Sequence, residues 1–145
     1  MQTLELKFKF DTLRISEKGS IAGHIWIEVG ESSFPEQNWS DMPTAVTSAL
    51  LGAAVLVRNA TSAAKEEVWF LDGPYYISLE RSQGSTWLVS FINIDGFRYW
   101  EADVDGSSSF ASIRAGAAVL VSECMARSWQ HPDIQILNDL LNASL

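Results

Sequence analysis

Glu67-Val68-Trp69-Phe70-Leu71-Asp72-Gly73-Pro74-Tyr75-Tyr76-Ile77-Ser78-Leu79 reads as two strands folded back on each other. β-Branched and aromatic residues fill both arms, and Asp72-Gly73-Pro74 between them supplies the backbone freedom and the fixed φ that a tight turn needs. The same punctuation continues downstream. Gln83-Gly84 leads into Thr86-Trp87-Leu88-Val89-Ser90-Phe91-Ile92, and Asp95-Gly96 leads into a strand from Phe97 to Val104. The middle of the chain is therefore a meander of about four antiparallel strands.

Upstream, Leu4, Leu6, Phe8 and Phe10 alternate with Glu5, Lys7 and Lys9, the period of a strand with one apolar and one charged face. Ile21 to Val29 is its expected hairpin partner. A loop from Gly30 to about Ser40 then reaches a helix that ends near Asn59, with Ser40 or Asp41 as cap and Pro43 in the first turn. Val46, Ala49, Leu50, Ala53, Leu56 and Val57 form its expected inner face. Downstream of the meander, Phe110, Ile113, Ala117, Leu120, Val121 and Cys124 recur at helical spacing between about Ser108 and Trp129. His131-Pro132-Asp133 opens a short last helix carrying Ile134, Leu137, Leu140 and Leu141. The expectation is one α+β domain over residues 1–145. Its antiparallel sheet of about six strands, the N-terminal hairpin plus the central meander, packs against two main helices and a short C-terminal helix.

Gly-Ala-Ala-Val-Leu-Val occurs twice, at Gly52 to Val57 and at Gly116 to Val121, each time mid-helix. Each copy follows a Trp-containing strand and a Ser-Ser-Phe turn, but at different spacing. Small residues chosen twice so that helices lie close to a sheet or to each other explain the echo more simply than an ancient duplication.

The 145 residues hold ten Lys+Arg against eighteen Asp+Glu, a net charge of -8, with 47% hydrophobic residues and six Trp. Disordered and low-complexity classes are excluded, and nucleic acid would be repelled. A folded monomer of 16.0 kDa should expose roughly 7,400 Å² of surface. One cysteine, Cys124, cannot form an internal disulfide, and Met1 to Lys7 lacks the layout of a signal peptide. A cytoplasmic location follows as an expectation. Ala45 to Val57 is too short for a bilayer, so no membrane span is expected.

Catalytic chemistry finds little purchase. His24 falls within a strand and His131 before a helix, neither in a motif that supplies a base. Ser62-Ala63-Ala64-Lys65 matches Ser-x-x-Lys without the companion motifs of that chemistry. Cys124 lies on the apolar face of its helix, where a thiol is inert. Glu101, Asp103, Asp105 and Gly106 match the first positions of a calcium loop, but a strand precedes them and position twelve would be Ser112. An acidic turn capping the next helix is the simpler reading. No catalytic residue, cofactor or metal is expected.

Surface remains. Glu28, Glu31, Glu36 and Asp41 surround the first strand-to-helix loop, and Asp95, Glu101, Asp103 and Asp105 the second. If the halves echo each other, both loops lie at one end of the sheet, joining negative charge to Phe34, Trp39, Phe97 and Tyr99. Aromatic anchors in a charged rim suit protein recognition. The expected partner-binding residues are Glu28, Glu31, Phe34, Glu36, Trp39, Asp41, Glu101, Asp103 and Asp105. A solvated face that aids solubility is the alternative.

Phe34-Pro35 with Trp39-Ser40-Asp41 at a helix start, Phe70-Leu71-Asp72-Gly73-Pro74-Tyr75 in a hairpin, and Glu123-Cys124 with Arg127-Ser128-Trp129 near the end span about residues 34 to 140. In these features the chain resembles the small acidic immunity proteins encoded beside bacterial polymorphic or contact-dependent toxins. The resemblance implies an α+β cytoplasmic inhibitor, monomer or homodimer, that performs no catalysis. It would occlude one cognate toxin whose surface is cationic, without binding nucleic acid or membrane. Two other classes are a self-associating adaptor, marked by a broad apolar patch, and a small enzyme built on carboxylates in a cleft.

Overall fold

The computed structural model describes residues 1–144. Alternation does build the N-terminal hairpin: β1 (Leu4–Ile15) pairs antiparallel with β2 (Ile21–Val29), and Leu4, Leu6, Ile25, Ile27 and Val29 share the buried face. A register shift between Lys9 and Arg14 lets the Thr12 hydroxyl donate to Lys9 O and accept from His24 N. β3 (Ser32–Phe34) and β4 (Ser40–Asp41) complete this sheet, both paired with β2. After α1 (Pro43–Asn59), the meander forms a second sheet in chain order: β5 (Lys65–Trp69), β6 (Tyr75–Arg81), β7 (Thr86–Asn93) and β8 (Arg98–Asp105). α2 (Gly106–Ala126) and α3 (Pro132–Ala143) follow.

The expected α+β layering is present. Among the described residues there are eight strands in two sheets of four, rather than about six in one. β3 and β4, of three and two residues, are too short to carry a period of two. The sheets meet through the chain start, where Gln2 bridges Val104 and its carbonyl accepts from Asp105 N. Leu4 N also donates to Ser109 Oγ across 105 positions of sequence.

Helix ends follow local chemistry. Asp105 caps α2 by accepting from Ser108 N at 2.8 Å, and His131 Nδ1 caps α3 by accepting from Asp133 N at 3.0 Å. At α1 the cap position is Met42, whose side chain makes no capping bond; Asp41 Oδ1 holds Met42 N at 2.7 Å instead. Val46, Leu50, Ala53 and Val57 are buried as expected, together with Leu51 and Ala54. Ala49 and Leu56 are exposed, because a 100° advance per residue carries them to the far side of α1. α2 is long and apolar enough to cross a bilayer, yet Phe110, Ile113, Ala117, Leu120, Val121 and Cys124 are buried and it serves as a core helix. One continuous core cluster draws on both sheets and all three helices. The accessible surface is 7382 Å², close to the expectation for this mass.

The repeated Gly-Ala-Ala-Val-Leu-Val segments do lie mid-helix, in α1 and α2, but with different buried positions: Ala53, Ala54 and Val57 in one, Ala117, Leu120 and Val121 in the other. The first Ser-Ser-Phe is β3, whereas the second lies inside α2.

Candidate functional site

Phe34 is the residue around which one end of the molecule is organised. β3 pairs with the end of β2, which directs the Phe34 ring between the sheets, 3% exposed. Its ring centroid lies 4.9 Å from Phe91, 5.7 Å from Tyr75 and 5.9 Å from both Phe70 and Tyr99. Trp39 packs edge-on against Tyr75 at 5.4 Å, and Phe97 against Tyr99 at 5.0 Å. Such edge-to-face pairs add to the burial of the rings. Tyr99 reaches this cluster because β8 bulges: Phe91 pairs with Trp100 and Ile92 with Arg98, leaving Tyr99 as the extra residue. A bulge re-aims the side chain it carries.

The cluster runs from core to water. Ile94 N donates to Pro74 O at 2.8 Å and so locks the turn after β7 to the turn before β6. Asn93 Oδ1 accepts from Asp95 N and Phe97 N, both at 3.0 Å. On this rigid double turn Leu71, Ile94 and Phe97 stand 55%, 65% and 60% exposed, beside exposed Tyr99 and the carboxylates Asp72 and Asp95. A cleft of about 240 Å³ lined by Phe34, Pro35, Tyr75, Tyr99 and Trp100 opens next to them.

The second sheet's outer face adjoins this end. Its cross-strand rows read Glu67-Ser78-Ser90-Glu101 and Lys65-Glu80-Leu88-Asp103, with Trp69 stacked on Tyr76 at 4.3 Å in the row nearest the turns. Arg98 donates to Ser90 Oγ at 3.1 Å and pairs with Glu101 at 3.2 Å. Four carboxylates against two cations leave this face negative.

The nine residues expected to bind a partner do not form one patch. Phe34, Trp39, Phe97 and Tyr99 do converge. Phe34 and Asp41, each 3% exposed, are corrections: Asp41 offers a partner no surface, and Phe34 is reached only as one wall of the cleft. Asp41 is a hub instead, accepting from Trp39 Nε1 at 2.9 Å, Met42 N at 2.7 Å, and Leu71 N and Asp72 N at 3.2 Å each. It joins the Trp39 loop, the α1 start and the hairpin turn. Glu28 lies on the first sheet opposite Ser33, with its carboxylate accepting from Trp26 Nε1 at 2.8 Å. Glu31 occupies the exposed β2–β3 turn and Glu36 the exposed loop that leads to Trp39. Glu101 and Asp103 point out from the second sheet, and Asp105 is the α2 cap. The Ser108 amide hydrogen bond holds its carboxyl below the usual carboxylate range.

Leu71, Ile94, Asp72 and Tyr75 were not expected at the site. A signal existed: Leu71, Ile94 and Phe97 directly flank turn residues, where polar side chains are the norm.

Other groups carry other duties. Cys124 is fully buried and burial pushes its thiol up, away from reactivity. Among the described residues, no three His, Cys, Asp or Glu converge as metal ligands. Comparisons with family models, curated proteins and solved structures give no match.

Proposed function

We propose that this chain is a non-catalytic protein-binding inhibitor of the immunity type, which neutralises one toxin by covering its active site. The observation that carries the reading is that Leu71, Ile94 and Phe97 stand exposed on two interlocked turns that also carry Asp72 and Asp95, with Tyr99 of β8 packed against Phe97. Large apolar side chains held rigid in a charged rim lose little entropy on binding, and they supply the central contacts that dominate interface energy. The carboxylates of the adjoining sheet face and the net charge of -8 would steer a cationic partner to that end. A toxin groove that handles nucleic acid has that charge.

The test begins with capture from lysate of the chain's own source and continues with the recovered partner expressed in a host with and without this chain. Restored growth, lost in the I94S/F97S variant, is the expected outcome. The charge-reversal variant D72K/D95K should slow association and flatten its dependence on salt. Rescue indifferent to both variants would move the interface elsewhere. Recovery of only a homodimer that buries Phe97 would favour the self-associating adaptor instead.

A further inference from the structure

At the opposite end of β6 to β8 from the aromatic turns, the close of α1 meets the start of α2 around a cavity of about 220 Å³. Arg58, Arg81, Ser85, Trp87, Gly106 and Ser107 line it. In a chain of net charge -8, this small space holds two of the ten cations, and it is furnished with donors.

Trp87 is the least expected of them. Its side chain is 2% exposed, on the inner face of β7, and its indole Nε1 has no acceptor among the described residues, whereas Trp26 and Trp39 each donate to a carboxylate. The residue is buried and lines the cavity, so this N–H is a donor that an acceptor inside the cavity could take up. The neighbouring residue is a glycine, and a Cβ at Gly106 would stand 2.5 Å from Trp87 Nε1. A side chain there would close the approach to the indole N–H; its absence keeps the cavity open.

Both arginines present unused donors. Arg81 donates from Nε to Gly84 O and from Nη1 to Ala60 O and Arg58 O, closing the carbonyl end of α1. Its Nη2 has no acceptor among the described residues. Arg58 lies over the Phe110 ring at 3.9 Å, with Nε toward Asn59 and Nη1 toward Ser144 O at 3.5 Å; its Nη2 has no acceptor among the described residues. Neither arginine pairs with a carboxylate among the described residues. The Ser107 N–H belongs to the first turn of α2, where backbone donors lack helical acceptors and the helix dipole is positive. Asp105 lines no part of the cavity; its carboxylate is turned to Ser108 N.

Guanidinium forks, an indole N–H and a first-turn amide, with no carboxylate among the described lining residues, are complementary to a tetrahedral oxyanion. We propose that this cavity is a phosphate site, holding a phosphate ion or the phosphate group of a monoester between Arg58, Arg81, Trp87 Nε1 and the Ser107 amide. It shares no residue with the proposed partner-binding end, so either reading can fail alone.

The experiment is a titration of the 15N-labelled chain with inorganic phosphate at constant ionic strength, following its six indole N–H resonances. One of them, assigned to Trp87 by its loss in W87F, should move saturably. R58Q should weaken binding about tenfold, the loss of one charge-assisted contact. Repeating the titration with glycerol phosphate separates the sources: tighter binding than inorganic phosphate identifies an esterified ligand, weaker binding the free ion. A Trp87 resonance that stays still up to about 50 mM phosphate, an affinity too weak for a built site, would overturn the proposal. So would one that moves equally with acetate. Should W87F fail to fold, the assignment can come from contacts between the indole proton and the Gly106 α-protons in the unaltered chain.

Discussion

Asp41 shows how one side chain can be decisive without touching a partner. Its two oxygens serve four donors on three segments, so Asp41→Ala leaves Trp39 Nε1 and the Met42, Leu71 and Asp72 amides without their acceptor. The expected cost is about 3 kcal/mol, read as a lower urea midpoint. Asp41→Asn should be nearly as harmful, because the new amide would turn its own donors toward Trp39 Nε1 and the Asp72 N–H; a harmless Asp41→Asn would remove the hub from the account. Asp105 makes a different prediction. Its pKa is lowered by the Ser108 amide from the ordinary value of 3.8, so its stabilising effect is complete above pH 3.8 and fades as the pH falls through the folded-state value. Asp105→Asn should therefore lower Tm at pH 6 and converge with the unaltered chain in acid, whereas a constant offset at every pH would assign the loss to packing. Both carboxylates were visible in the sequence as acidic residues near helix starts. That Asp41 turns inward was not, because its donors come from Trp39 and from a hairpin thirty residues on.

For the elements, the period of two in β1 and the turn chemistry at Gly73, Gly84 and Gly96 were enough to place the strands, and all three glycines adopt positive φ. The two-residue β4 and the Tyr99 bulge left no such trace, since each depends on what the strand pairs with. The helix glycines carry a prediction. Gly52 has no neighbouring atom within 4 Å of where a Cβ would lie, and at Gly116 the nearest, on Leu6 and Phe8, are at an ordinary 3.5 Å. Close approach of helices, the simplest reason for repeating Gly-Ala-Ala-Val-Leu-Val, is not what these two positions require. Gly52→Ala and Gly116→Ala should each raise stability by about 0.5–1 kcal/mol. A loss at either position, measured by thermal unfolding, would mean that the helix moves closer to its neighbour than it stands here. Gly106 is the contrast, for an alanine there meets the Ser85 carbonyl and the Trp87 indole.

Across the whole molecule, the conjunction of Phe34, Trp39, Phe97 and Tyr99 at one end could be read from the two strand-to-helix loops, although the duplication that suggested it has no counterpart in the buried faces of α1 and α2. The split of the strands into two sheets could not be read, because it rests on Phe34 and Gln2 bridging between the sheets rather than on any local pattern. The bond from Leu4 N to Ser109, with Leu6 and Phe8 beneath Gly116, joins the first strand to nearly the last helix. During synthesis the hairpin of β1 and β2 leaves the ribosome long before the helix that covers it. A nascent chain stalled ahead of Gly106 presents Leu4, Leu6 and Phe8 to solvent and to chaperones, and only translation of α2 ends that exposure.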